Sequence, residues 1–242
     1  MVFLTAAPGA EAVGKIWNLV DWLIVQFQPS MEVAGVIEVA GAFLCMVLAY
    51  LIGSVNFSLV LSKGVFGEDL RKAGKGGADI TDVLRTYGKK TAALTLLLDG
   101  AKIVAAVWLG RLLWEHNGGA LAGFFAIFGH MFPLYFRFQG GKGAVCMMAV
   151  AATLSPITFL ILLVVFLVCA IGTRMVSFAS VMTAFLYPLV LQAFANRGLN
   201  VAMAVFTTVF VVYMHRNNLK LIQAGKEEKL ELSELFSRRK KK

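Results

Sequence analysis

Residues 144–171 read AVCMMAVAATLSPITFLILLVVFLVCAI, and the division of this stretch decides the topology of the whole chain. It is either one long kinked span or two short helices broken at Ser155-Pro156. Proline disfavours the α conformation in the residue before it and removes a backbone donor, so a break is natural there. Charge chooses between the two readings, because Lys and Arg in short loops mark the cytoplasmic side of a membrane. With two helices, Lys63, Arg71, Lys72, Lys75, Arg85, Lys89, Lys90, Arg137, Lys142, Arg174, Arg216, Lys220, Lys226 and Lys229 share one side. Only Lys15, Arg111 and Arg197 fall on the other, a division of 14 against 3. A single span would flip every later segment and give 10 against 7. The charges therefore select an all-α, polytopic membrane protein of about seven helices, N-terminus outside and C-terminus inside. The piece Ala144–Leu154 reaches only about 16 Å at 1.5 Å per residue, so it is expected to be a partial span packed within protein.

The rest of the chain agrees with a membrane setting. Hydrophobic residues make up 59% and charged residues 15%, with a mean hydropathy of +0.76. Soluble domains usually carry about 25% charged residues. Apolar runs at Val33–Leu61, Thr91–Trp114, Ala120–Phe138, Val176–Phe194 and Asn200–Met214 flank the deciding stretch, and several approach the roughly 20 residues that cross hydrocarbon. No soluble domain boundary interrupts them. Residues 33–222 thus read as the membrane domain, 1–32 as an N-terminal extension and 223–242 as a basic cytoplasmic tail facing anionic membrane lipids. Lys15–Phe27 places Ile16, Trp17, Leu19, Val20, Leu23, Ile24 and Phe27 mostly on one helical face, which suits an interfacial helix or a loosely ordered extension. Cys45, Cys146 and Cys169 lie inside apolar runs without a CxxC pair and read as small buried hydrophobes. No metal or other cofactor is expected, and the positive charge is accounted for by membrane topology rather than by nucleic acid.

On the basic side, Phe138–Val145 (FQGGKGAV) sets Gly140, Gly141 and Gly143 around Lys142 just before a helix start. Glycines allow close backbone approach, helix N-termini favour anions, and the lysine adds a mobile charge. The Walker A spacing fails, so the alternatives are a phosphate-binding loop of another kind or a flexible basic hairpin. Arg71–Arg85 (RKAGKGGADITDVLR) is a second Gly-rich segment, in which Lys75-Gly76-Gly77 could form an anion nest and Asp79 or Thr81 could cap a helix. The alternative for that segment is a solvated loop with a capped helix. His215 and Asn218, three apart at the end of the last helix, are expected to share a face. Asp99 and Lys102 lie one turn apart within an apolar run, either marking a transport path or pairing with each other.

These segments together carry a resemblance. Gly53-Ser54, the Arg71–Arg85 loop, Asp99 with Lys102, Gly129-His130 with Pro133, Gly140–Gly143, Ser177-Phe178-Ala179-Ser180, and His215-Arg216-Asn217-Asn218 with Gly225 and Glu227 resemble, in order and spacing, the bacterial acyl-phosphate-dependent glycerol-3-phosphate acyltransferases, the PlsY family. The match covers roughly residues 40–230. It implies a seven-helix, metal-free enzyme of the bacterial inner membrane, acting as a monomer with its active face cytoplasmic. Such an enzyme moves a fatty acyl group from acyl phosphate to glycerol 3-phosphate, giving lysophosphatidic acid and phosphate. By matching positions, Arg85 and Lys142 would clamp phosphate, Ser180, or in its place Ser177, would hydrogen-bond it, and His215 and Asn218 would position the acceptor. Ser54 would serve helix packing.

The chain departs from that family in one loop. Where the family reads GSGNxGATNVLR, residues 74–85 read GKGGADITDVLR. Lys75 stands for a phosphate-binding serine, Gly77 for asparagine, Asp79 for glycine and Asp82 for asparagine, while Asn56 replaces a usual proline. Asp79 and Asp82 bring negative charge beside a site for phosphates. A catalytically silent or substrate-altered relative that binds a lipid or partner enzyme is the alternative, and a small transporter the third reading.

Overall fold

The computed structural model describes residues 18–74, 76–195 and 198–229, the side chains of residues 115 and 116 excepted. Ile16, Trp17, Lys75, Arg197 and the tail beyond residue 229 lie outside the described residues. The elements are α1 (Leu19–Phe27), α2 (Met31–Ser54), α3 (Phe57–Val65), α4 (Leu70–Ala73), α5 (Ile80–Tyr87), α6 (Lys89–Met131), α7 (Ala144–Leu154), α8 (Pro156–Thr173), α9 (Val176–Phe194), α10 (Gly198–Met214) and α11 (Arg216–Gln223). No strand occurs among the described residues.

The break at Ser155-Pro156 is present. Ser155 adopts an extended conformation between α7 and α8, its hydroxyl accepts from Thr158 N–H at 3.3 Å, and Pro156 takes the first helical position. Proline is well placed there, because the missing N–H would have had no partner inside the helix. Among the described residues, five helical stretches are long and apolar enough to cross a membrane, and a sixth is α10 with α11, bent by 57° at His215. With the short α7, these make seven apolar helices of ten or more residues.

Helix α6 holds two of them. An unbroken 43-residue helix would be about 65 Å long, twice the hydrocarbon thickness. Gly110 and Gly118 would be about 12 Å apart in it. Instead a Cβ built on Gly110 would lie 2.2 Å from Gly118 O, so the helix folds back into an outgoing arm, Lys89–Trp114, and a return arm, Asn117–Phe136. Two glycines, Gly53 on α2 and Gly129 on the return arm, let these helices meet closely. A Cβ on Gly53 would fall 2.0 Å from Ala126 O, and one on Gly129 would fall 2.3 Å from Tyr50 O. Small residues at such crossings are what membrane helices use in place of a hydrophobic drive. Ser54 is buried there and donates to Tyr50 O at 2.8 Å, a packing role.

The main core gathers Cys45, Ile103, Ala126, Met147, Leu162, Tyr187 and Val211, one or more from each of these helices. Phe124, Phe128 and Phe132 on the return arm pack around Phe210 of α10 at 5.3–6.4 Å between ring centroids. Leu160, Val164, Leu167, Val168 and Ile171 of α8 are exposed, as a lipid-facing surface requires. Cys45 and Cys146 are buried, Cys169 is half-buried, and all three are free thiols. In α1, Val20 is buried against Gly41 of α2, while Leu19, Trp22 and Phe27 are exposed. A second, smaller core of Leu59, Leu70, Ala78, Val83 and Ala92 is built by α3, α4, α5 and the start of α6. It makes the segment between the first two spans a folded platform rather than a solvated loop.

Candidate active site

Three segments meet on that platform. The first is the connection from α6 to α7. After Met131 the chain makes one 3-10 turn, Leu134–Phe136, and then Arg137 and Phe138 adopt positive φ of 58° and 57°. Gly140 N–H donates to Met131 O at 3.1 Å and Gly141 N–H to His130 O at 3.2 Å, so the loop lies back along the end of the helix it has just left. A Cβ on Gly140 would lie 2.0 Å from His130 O, and one on Gly141 would lie 2.4 Å from His130 Nε2. The close approach that these glycines permit is to the chain's own helix end. Gly143 has φ +79° and precedes α7, a conformation that L side chains rarely adopt.

Arg71 clasps this loop to the platform. Its Nη1 donates to Phe136 O at 3.0 Å and Gln139 O at 3.1 Å, while Nε and Nη2 donate to Asp69 at 2.9 and 2.7 Å. The hydrogen-bonded guanidinium holds the Asp69 carboxyl well below the usual carboxylate range.

The second segment is the start of α5, and it meets Lys142 directly. Asp79, the residue capping α5, accepts from Lys142 N–H at 2.6 Å through Oδ1, and its Oδ2 lies 3.0 Å from Lys142 Nζ. Burial works against the charge on Lys142, but the charge and hydrogen bond of Asp79, with the charges of Asp82 and Glu227, together raise its pKa above the ordinary value. Asp82 is buried one turn later and accepts from Asp79 N–H at 3.3 Å. Burial and then the Asp79 charge push its pKa up. Thr81 is not the cap. Arg85 pairs with Glu228 at 3.1 Å and lines, with Ala73, Gly74, Asp82 and Thr86, a cavity of about 320 Å³.

The third segment is the bend at His215. His215 is buried, and its Nδ1 lies 2.8 Å from Val211 O. A carbonyl can only accept, so the proton of the neutral ring sits on Nδ1 and the Nε2 lone pair is left for a ligand. His215 is within electrostatic reach of Asp79, Lys142 and Glu227. Asn218 begins the return of the chain, with Nδ2 donating to Glu227 Oε1 at 3.0 Å. His215 stands at the helix break as the N-cap of α11, and Asn218 lies in the first turn of α11.

Ser180 is buried on α9 and spends its hydroxyl proton on Val176 O at 2.9 Å, and Ser177 is half-buried one turn earlier. Beneath the Gly-rich loop, Asp99 and Lys102 are paired at 2.7 Å, and Lys102 Nζ is 3.1 Å from His130 Nδ1. No cluster of three or more His, Cys, Asp or Glu able to hold a metal occurs among the described residues. Sequence reasoning did not find the Arg71 clasp or the Arg85 partner Glu228. An acidic cap two residues before an arginine, as in Asp69-Leu70-Arg71, is the signal that could have suggested the first.

The sequence model of the glycerol-3-phosphate acyltransferases matches residues 43–225. The chain belongs to the glycerol-3-phosphate acyltransferase family. Curated relatives include the glycerol-3-phosphate acyltransferase of Rhizobium etli, 34% identical over 78% of this chain and 91% of that protein. That of Bradyrhizobium sp. strain BTAi1 is 38% identical over 76% and 93%. Among solved structures the chain resembles PlsY, an integral membrane glycerol 3-phosphate acyltransferase, in its glycerol 3-phosphate form. There the TM-score is 0.75 with 30% identity over 81% of this chain and 99% of that one. The lysophosphatidic acid form gives 0.73 at 28% identity. The family match leaves residues 1–42 outside it, and the platform, the Gly-rich loop and the His215 bend of this chain fall within residues 43–225.

Proposed function

We propose that this chain transfers a fatty acyl group from acyl phosphate to the 1-hydroxyl of glycerol 3-phosphate, at the cytoplasmic face of a bacterial inner membrane. The observation that carries this reading is the convergence of Lys142, the α5 start and His215 at one end of a bundle whose outer face is apolar. Phosphates would sit at the polar end while the acyl chain stays in lipid. An acyl phosphate is already activated, so positioning and charge stabilisation suffice and no covalent enzyme intermediate is required.

In the step, the acceptor oxygen attacks the acyl carbonyl carbon, and the bond from that carbon to the phosphate oxygen breaks with its electron pair going to phosphate. His215 Nε2 accepts a hydrogen bond from the attacking hydroxyl, whose proton ends on the departing phosphate. Lys142 and Arg85 hold phosphate groups, the backbone of Gly140, Gly141 and Gly143 shapes the loop, and Asn218 orients the acceptor. Ser180, or Ser177, donates to phosphate after rotating from its own helix, and Lys75 adds positive charge. The outside N-terminus, inside C-terminus, monomeric state and anionic lipid contacts of the basic tail belong to the same proposal.

Purified protein supplied with acyl phosphate and glycerol 3-phosphate should form lysophosphatidic acid, and Lys142→Ala and His215→Ala should each cut the rate about a hundredfold or more. Normal turnover in both variants would remove the residue assignment. The Asp79 carboxylate on Lys142 is the observation that favours a relative of altered substrate range, and the absence of wild-type turnover would select that reading.

A further inference from the structure

Lys142 offers two donors to one point in space, its backbone N–H and its ammonium. Both are taken by Asp79, at 2.6 and 3.0 Å. This is the arrangement of an anion site, with the anion supplied by the chain itself. The occupant is held from three directions. Its residue caps α5, its N–H is bound by the Asp82 carboxylate at 3.3 Å, and Gly141 leaves room for it, since a Cβ there would lie 3.1 Å from Asp79 Oδ1. The carboxylate is also largely withdrawn from solvent, at 15% side-chain exposure against 25% for Lys142.

We propose that Asp79 is the specificity-determining residue of this site: its carboxylate is the resident occupant of the Lys142 seat, and a phosphorylated substrate binds by exchanging with it. The inference rests on the acyltransferase reading for which phosphate that is. A ligand must then win Lys142 from a preorganised carboxylate and also tolerate that carboxylate nearby. A phosphate dianion, with twice the charge and three acceptor oxygens, does so at reduced affinity. A singly charged carboxylate or sulfonate brings no more charge than the occupant and does not.

The exchange is read by calorimetric binding of inorganic phosphate to the purified full-length protein, which requires no turnover. Asp79→Gly and Asp79→Asn should each tighten phosphate binding tenfold or more, and both should let methanesulfonate bind where the wild type does not. Asparagine keeps the helix cap, so it separates loss of charge from loss of fold. The gain should vanish when Lys142→Met is added to Asp79→Asn. Equal phosphate affinity in wild type and both variants, weaker binding in the variants, or a gain that persists without Lys142 would each overturn the proposal. If these shifts appear in a protein that makes no lysophosphatidic acid, the acyl-transfer reading fails while the exchange at Lys142 stands.

Discussion

Lys102 Nζ lies 2.7 Å from Asp99 Oδ1, one turn away on the outgoing arm of α6, and both side chains are buried. The ammonium also donates to Val55 O, at the break between α2 and α3, and faces His130 Nδ1 on the return arm. Three separate elements are thus tied to one charge directly beneath the Gly-rich loop.

Removing one partner of this pair should hurt more than removing both. Lys102→Met leaves a buried carboxylate unpaired, at a cost of about 3–5 kcal/mol. The double variant Lys102→Met with Asp99→Leu should recover much of that loss. Thermal unfolding in detergent measures it, and a double variant as unstable as the single one would show that the pair acts by geometry rather than charge.

The Arg71 clasp calls for a planar, multidonor head group. Arg71→Lys should free the loop at Phe136 and Gln139, raising KM for phosphorylated substrate about tenfold while the helices melt as before. The folded-state pKa of Asp69 is depressed, so its contribution is complete above the unfolded carboxylate value of about 4 and is lost as pH falls through the lower folded value. Proteolysis of the platform should therefore be insensitive to pH between 6 and 8. Cleavage that changed steeply in that window would point to another group.

Gly141→Ala places a methyl group 2.4 Å from His130 Nε2 and 3.1 Å from Asp79 Oδ1. The loop must move, and Lys142 with it. Acyl transfer should fall about a hundredfold, since displacements near 1 Å carry that cost. Circular dichroism should show the helical content unchanged.

The α2 crossing is tested by Gly53→Ala, whose new methyl would meet Ala126 O at 2.0 Å. Overpacking of this kind costs about 1–3 kcal/mol. Gly100→Ala on the same bundle, with nothing within 4 Å, is the control and should be neutral or stabilising. Equal melting temperatures for the two variants would show that α2 and α6 can separate at little cost.

Much of the fold was legible from residue order. Period-free apolar runs fix which segments enter lipid, because the backbone there must satisfy itself within a helix. The Ser155-Pro156 break is covalent chemistry, and the structure places it where it was read. The pairing of Asp99 with Lys102 and the Asp79 cap were available because both depend on spacing within one helix. The Arg71–Arg85 segment reads as a Gly-rich loop, yet Leu70, Ala78 and Val83 bury one another, with Ala92, in a platform too small to leave a hydropathy signal.

By itself the sequence determined the apolar helices and the presence of Lys142, His215 and Arg85 at helix ends. Those properties are local or compositional. Only the tertiary structure decided that Lys142 meets Asp79, that Arg85 meets Glu228, and that three glycines press against α6 rather than lie open. Contacts between residues 63 or 143 positions apart depend on how the bundle closes, and no periodicity along the chain encodes that distance.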